Sequence, residues 1–274
     1  MDLSKELAEA LAAAEAAGKY VLNEYQAFTP IPDAPAEIST HVDCEAQEII
    51  VRHLRAAFPH DGIRAEEATA SVSSESSRAS RVWVIDPIDG TRGFARKNGE
   101  FSVMIGFTVE SRAVLGVVLE PVANRVTYAA AGVGCWTQSG TAEPIRCQVT
   151  TQSNLASSVF VQSHTKPGAA PKPVVAAIEP GRVVETYSAG IKLAMVARGE
   201  VDLYVNDYVN FHDWDACAGH VLVEEAGGMV TLFNGEPIIY VGPVKRRGLL
   251  ATNGLIHQDC LQRLSLSIAV KNSD

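Results

Sequence analysis

Apolar residues recur near helical spacing at Leu3, Leu7, Leu11, Ala14 and Val21, which predicts an amphipathic helix over residues 3–25. Prolines 30, 32 and 35 then break the chain into a loop. Asp43 stands where an N-cap is expected, and the stripe Ile49, Ile50, Leu54 and Ala57 carries a second helix to Phe58. Residues 69–80 are rich in serine, have no apolar period and read as a mobile surface loop. From Val82 the period shortens to that of strands, at 82–85, 101–109, 114–119 and 125–130. These predict an antiparallel meander packed on the two helices.

Beyond residue 150, strands are predicted at 156–162, 183–187, 229–232 and 249–252, with helices at 189–199 and 215–226. The second of these helices starts at Asp215, another candidate N-cap, and ends at Gly227-Gly228, a C-cap signal. A last helix runs from His257. The pattern as a whole describes a layered α/β architecture in two parts, residues 1–150 and 151–274.

Composition narrows the possibilities. The apolar fraction of 47% and charged fraction of 20% are those of an ordinary globular protein. A net charge of −9 argues against a nucleic-acid polymer as partner, yet permits a small phosphorylated ligand, because a bound cation reverses the local field. The five cysteines (Cys44, Cys135, Cys147, Cys217, Cys260) never form a CxxC pair, which fits reduced thiols in the cytoplasm. Glu6, Glu9 and Glu15 interrupt the Ala-rich start, so it lacks a signal-peptide core, and no apolar run is long enough to span a bilayer.

The candidate chemistry lies in Trp83-Val84-Ile85-Asp86-Pro87-Ile88-Asp89-Gly90-Thr91. A buried strand ends there in two aspartates, with a proline fixing the backbone after the first and a glycine freeing it after the second. Carboxylates that close repel unless a cation lies between them, and an all-oxygen donor set suits a hard cation such as Mg²⁺. Asp-Pro and Asp-Gly are equally turn dipeptides, so the run alone reads both ways. Elsewhere, Glu66-Glu67 reads as a solvated pair or as ligands, and Asp215 as a helix cap or a ligand.

Together, Glu66-Glu67, the run from Trp83 to Thr91, and Trp214-Asp215-Ala216-Cys217-Ala218-Gly219 through Glu225-Ala226-Gly227-Gly228 resemble the inositol-monophosphatase superfamily, in order and separation across almost the whole chain. The resemblance implies a layered αβαβα sandwich of the inositol-monophosphatase/fructose-1,6-bisphosphatase type and a Mg²⁺-dependent, lithium-sensitive phosphomonoesterase. It implies that Glu66, Asp86 and the Ile88 carbonyl hold one Mg²⁺, and that Asp86, Asp89 and Asp215 hold a second. A third ion would lie near Glu66 and Glu67. Glu66, Thr91 and Asp43 would be the catalytic set around the attacking water, and amides at Gly90 and Thr91 would bind the phosphate. The same resemblance leaves a monomer or a homodimer open.

Within the superfamily, Arg96-Lys97-Asn98-Gly99-Glu100-Phe101 resembles the 3'(2'),5'-bisphosphate nucleotidase (CysQ-type) branch, with 3'-phosphoadenosine 5'-phosphate as the implied substrate. His164, in Gln162-Ser163-His164, and Lys192, in Ser188-Ala189-Gly190-Ile191-Lys192, would then contact substrate, Lys192 pairing with a second phosphate. The alternatives are inositol monophosphate, histidinol phosphate or a sugar phosphate, and more remotely a catalytically silent phosphate-binding homologue. Ala65, Val42, the lysine-free loop at 30–37 and Ala189-Gly190 depart from the family's usual residues.

Overall fold

Two long helices, α1 (Ser4–Ala27) and α2 (His41–Ala57), bury alanine- and valine-rich stripes against each other and against one face of a sheet. The computed structural model describes residues 1–274 except 36–37, 73–78, 167, 209–210, 243–247 and 272–274, and only the backbone of 266–271. The sheet follows chain order: β1 (Gly62–Ala65), β2 (Arg81–Asp89), β3 (Ser102–Val109), β4 (Arg112–Glu120), β5 (Arg125–Ala130), β6 (Gly134–Ser139) and β7 (Ile145–Arg146). β1 pairs parallel to β2, and every later pairing is antiparallel. A five-residue helix, α3 (Thr91–Ala95), joins β2 to β3.

The second part runs β8 (Val159–Gln162), α4 (Pro173–Ile178), β9 (Arg182–Glu185), α5 (Ala189–Ala197), β10 (Leu203–Asn206), α6 (Cys217–Glu225), β11 (Met229–Leu232), β12 (Leu249–Thr252) and α7 (His257–Lys271). Its sheet has the order β11-β12-β10-β8-β9. Helices α5 and α6 lie between the two sheets, and α4 and α7 pack together beyond the second. The layers are therefore αβαβα. Their position explains the composition of α5 and α6: a helix covered on both faces has no polar stripe, and Leu193, Ala194, Val196, Leu222 and Val223 are all fully buried.

Several expectations from the sequence need correction. α2 is capped by Thr40, not Asp43: Asp43 lies three residues into the helix and closes a capping box, its Oδ2 accepting from Thr40 N–H at 2.8 Å. α6 is preceded by Ala216, so Asp215 precedes the helix rather than capping it. β2 does not stop at Ile85 but continues to Asp89. β1, β6, β7 and β10 and the brief helices α3 and α4 are additions to the elements expected from the sequence. Of the serine-rich loop, residues 73–78 lie outside the described residues, as do 36–37 of the proline loop.

Candidate active site

The irregularity within β2 builds the centre of the site. Asp86 pairs with Met104 and Asp89 with Ser102, so two residues of β2, Pro87 and Ile88, oppose the single Val103 of β3. Pro87 has no N–H to give the ladder, and a bulge accommodates the extra residue. In an unbroken strand, residues three apart face opposite sides; one added residue brings both aspartates to the same side. Parallel pairing adds the next acid: Ala65 aligns with Ile85, and Glu66 N–H donates to the Ile85 carbonyl at 3.2 Å. Glu66 thus emerges beside Asp86 at the carboxyl ends of two parallel strands.

Asp86 is 2% exposed, and its Oδ1 has no hydrogen-bond partner among the described residues. Burial, then the charges of Glu66, Asp89 and Asp215, raises its pKa well above the carboxylate range. Glu66 is exposed as a residue, but its carboxyl is desolvated and hemmed in by the acids Asp86, Asp215, Glu67 and Asp43. Desolvation of that carboxyl first, then the charges of Asp215, Glu67 and Asp43, pushes it up to about 8. Asp215, half-buried ahead of α6, accepts from His212 N–H at 2.7 Å. Burial of its carboxyl, reinforced by the charges of Asp89 and Asp213, carries it up to about 7.

Asp89 differs from these in having donors. Its Oδ2 accepts from Ser188 Oγ and from Gly190 N–H at 2.7 Å, and lies 3.4 Å from Ser102 Oγ. Glu67 is held apart: Ser39 Oγ donates to its Oε1 at 2.8 Å, and Gln47 bonds its backbone at both N–H and C=O.

The turn after Asp89 aims the next groups. Gly90 has φ +87°, and a side chain there would meet the Glu100 carbonyl and Ser188 N, each at 2.9 Å from its Cβ, so only glycine fits. It precedes α3, whose first amides have no intrahelical acceptor. Thr91 Oγ1 lies 3.1 Å from Asp43 Oδ1 and 2.9 Å from the Ile88 carbonyl. Asp43 is fully buried, and desolvation raises its pKa despite the bonds from Thr40 and Thr91.

The structure brings Asp43, Glu66, Asp86, Ile88, Asp89, Gly90, Thr91 and Asp215 to one place. Lys192 is also there, but beneath the surface: it is 2% exposed, its ammonium lies 5.3 Å from the Tyr204 ring centre, and Asp89 is the first charge opposing its desolvation. That desolvation lowers its pKa to about 8. His164 stands on the rim, with Nε2 2.7 Å from Glu100 Oε2 and Nδ1 3.5 Å from Glu185 Oε2. Glu185, Tyr187, Ser188 and Ser102 were not singled out by the sequence. Ser102 meets Ser188 across 86 residues and Tyr187 meets Glu100 across 87, while Glu185 meets Gln162 and Thr165 from the adjacent parallel strand; no local motif encodes such contacts.

Among the described residues, no three His, Cys, Asp or Glu side chains are grouped so that they could hold a metal ion as they stand. The donor chemistry nonetheless fits a hard divalent cation. Four acids supply only oxygens, burial and their mutual repulsion hold three of them above their ordinary pKa, and the Asp86 Oδ1 is a buried acceptor with no partner among the described residues.

Comparison with known proteins places the fold in a family. The model of the inositol monophosphatase family matches residues 2–268. A Thermotoga maritima protein described as fructose-1,6-bisphosphatase/inositol-1-monophosphatase is 31% identical over 233 residues, 82% of each chain. A Mycobacterium tuberculosis histidinol-phosphatase is 29% identical over 241 residues, 87% of this chain and 85% of its own. The solved inositol monophosphatase from Anabaena superposes with a TM-score of 0.79 at 27% identity, covering 97% of both chains. With the fold, the length of the match and the relatives in agreement, the chain belongs to the inositol monophosphatase family.

Proposed function

We propose that this protein is a Mg²⁺-dependent phosphomonoesterase acting on a small polyol or amino-alcohol monophosphate, with inositol phosphate and histidinol phosphate ahead of other sugar phosphates. The orphaned, buried Oδ1 of Asp86 among Glu66, Asp89 and Asp215 carries this reading. Glu66, Asp86 and the Ile88 carbonyl would hold one ion, Asp86, Asp89 and Asp215 a second, and Glu67 would border a weaker third. When bound, such ions lower the pKa of a water and neutralise phosphoryl oxygens. Thr91, its proton directed to Asp43 Oδ1 or the Ile88 carbonyl, offers its remaining lone pairs to the attacking water. The first amides of α3 would receive the phosphate.

The rim favours a monophosphate over a bisphosphate. His164, which the sequence assigned to substrate, is set between the carboxylates of Glu100 and Glu185. Lys192, assigned to a second phosphate, is buried against Tyr204. An anionic leaving group would meet two acids there, whereas hydroxyl or ammonium donors would find acceptors. The relatives named above are described as a fructose-1,6-bisphosphatase/inositol-1-monophosphatase, a histidinol-phosphatase and an inositol monophosphatase, none as a nucleotidase. One observation supports the nucleotide bisphosphate as a second reading: Arg92, beside Tyr187, has a buried Nε with no partner among the described residues.

Phosphate release from inositol 1-phosphate, histidinol phosphate and 3'-phosphoadenosine 5'-phosphate, with and without Mg²⁺ and Li⁺, tests both levels. Preference for either monophosphate with inhibition by Li⁺ is expected. Preference for the nucleotide would overturn the substrate reading, and Mg²⁺-independent release would overturn the metal reading.

A further inference from the structure

Ser188 adopts φ 64° and ψ 121°, a positive φ outside the left-handed helical well that a residue with a side chain takes only at a cost. It is 4% exposed and immediately precedes α5. Its side chain is fully engaged. The hydroxyl accepts from Ile191 N–H at 3.0 Å and lies 2.9 Å from Ser102 Oγ. It also contacts Asp89 Oδ2 within hydrogen-bonding distance.

A hydroxyl has one proton and two acceptor positions. Asp89 as a carboxylate can only accept, so the Ser188 proton goes to Asp89 Oδ2. Ile191 N–H and the Ser102 hydroxyl then fill the two acceptor positions. Ser102 is better placed to donate to Ser188 at 2.9 Å than to Asp89 at 3.4 Å. The chain of donors is directed and complete: Ser102 to Ser188, Ser188 to Asp89, with Gly190 N–H adding a second bond to the same oxygen at 2.7 Å. Capping of α5 explains the bond from Ile191 alone. It does not explain why the proton is spent on an aspartate 99 residues away in the other sheet.

We propose that Ser188 is a positioning residue for Asp89, holding Oδ2 on the protein side so that Oδ1 is presented to the cation. This rests on the reading of Asp89 as a metal ligand. Outer-sphere partners of this kind orient a ligand and typically change metal affinity 10- to 100-fold when removed. They also make the N-terminus of α5, in the second part of the chain, a determinant of the metal site built by β2 in the first.

The full-length protein and its Ser188→Ala and Ser188→Gly variants separate positioning from strain. Mn²⁺ affinity is measured by calorimetry, and the melting temperature is measured without metal. The inference expects both variants to bind Mn²⁺ at least 10-fold more weakly. Ser188→Gly, freed of the unfavourable backbone, should melt above Ser188→Ala; if alanine fails to fold, glycine alone decides. Affinity within twofold of the parent in the glycine variant would overturn the proposal, because the hydroxyl would then serve only the helix. A parent protein that binds no divalent cation would instead remove the metal-ligand reading itself, and the two failures are distinguishable.

Discussion

Thr91 Oγ1 lies 3.1 Å from Oδ1 of Asp43, tying the start of α3 to the first turn of α2 across 48 residues. The other Asp43 oxygen is committed to Thr40, whose N–H and hydroxyl donate to it at 2.8 and 2.6 Å. One carboxylate therefore closes a helix cap and holds the Thr91 hydroxyl. Asp43→Asn retains a carbonyl oxygen for one role but not both, and Asp43→Ala loses both. Thr91→Val, which keeps the shape and removes the hydroxyl, should lower kcat about 100-fold or more with little change in KM. Asp43→Ala should add a stability loss of about 1 kcal/mol from the lost cap. Steady-state kinetics beside urea denaturation measures the two effects; a Thr91→Val enzyme with parental kcat would remove Thr91 from the reaction.

Asp86→Asn should abolish turnover and leave the fold intact. The buried Oδ1 is uncompensated, and neighbouring acids raise the cost of its charge. Removing that charge should leave the metal-free protein at neutral pH at least as stable as the parent. Phosphate release and a melting curve at pH 7.5 check it. Retained activity would defeat the assignment of Asp86 as the bridging ligand.

The sequence carried the reaction more clearly than the details of its site. The Asp86 to Thr91 run is contiguous, and its proline and glycine mark the bulge and the left-handed turn that aim it. The long helices are legible because their apolar stripes repeat over several turns, whereas a four-residue strand gives little period to count: β11 and β12 match the expected strands, and β1 and β10 were not expected. Asp43 and Asp215 were misread as N-caps because a short acid before an apolar run is the usual cap signal; each instead lies one to three residues away from the cap. Lys192 illustrates another limit. Its place in the motif suggested a contact for phosphate, while its burial on α5, facing Asp89, depends on packing between sheets.

Stability and metal binding should respond to pH in opposite directions. Glu66 and Asp215 hold protons up to about 8 and about 7 in the folded chain, whereas the unfolded chain releases them near the ordinary carboxylate range. The folded state then binds more protons than the unfolded one, so stability is fully present below the unfolded values and declines as pH rises through the folded ones. Lys192, lowered to about 8, acts with the opposite sign but above that window. The metal-free melting temperature should therefore fall between pH 5 and 7.5. Over the same range Mn²⁺ should bind more tightly and release protons as it binds. Calorimetry in two buffers of different ionisation enthalpy reads that release directly. A flat melting profile with no proton release would mean that the acids are already ionised in the folded state.

The metal site should also depend on a glycine that touches none of its groups. Gly116, in the middle of β4, lies against α6: a Cβ built there would come within 2.1 Å of the Ala218 carbonyl oxygen. The obstacle is backbone, and a helix buried between two sheets has no open side into which to retreat. Gly116→Ala must therefore push α6 off the sheet, at about 1–3 kcal/mol. Asp215 stands two residues before α6, so the same displacement carries this acid away from Asp86 and Asp89. Urea denaturation should show the lost stability, and Mn²⁺ titration of the folded variant should show weakened binding although every candidate ligand is present. Parental metal affinity despite the stability loss would show that Asp215 is positioned independently of α6.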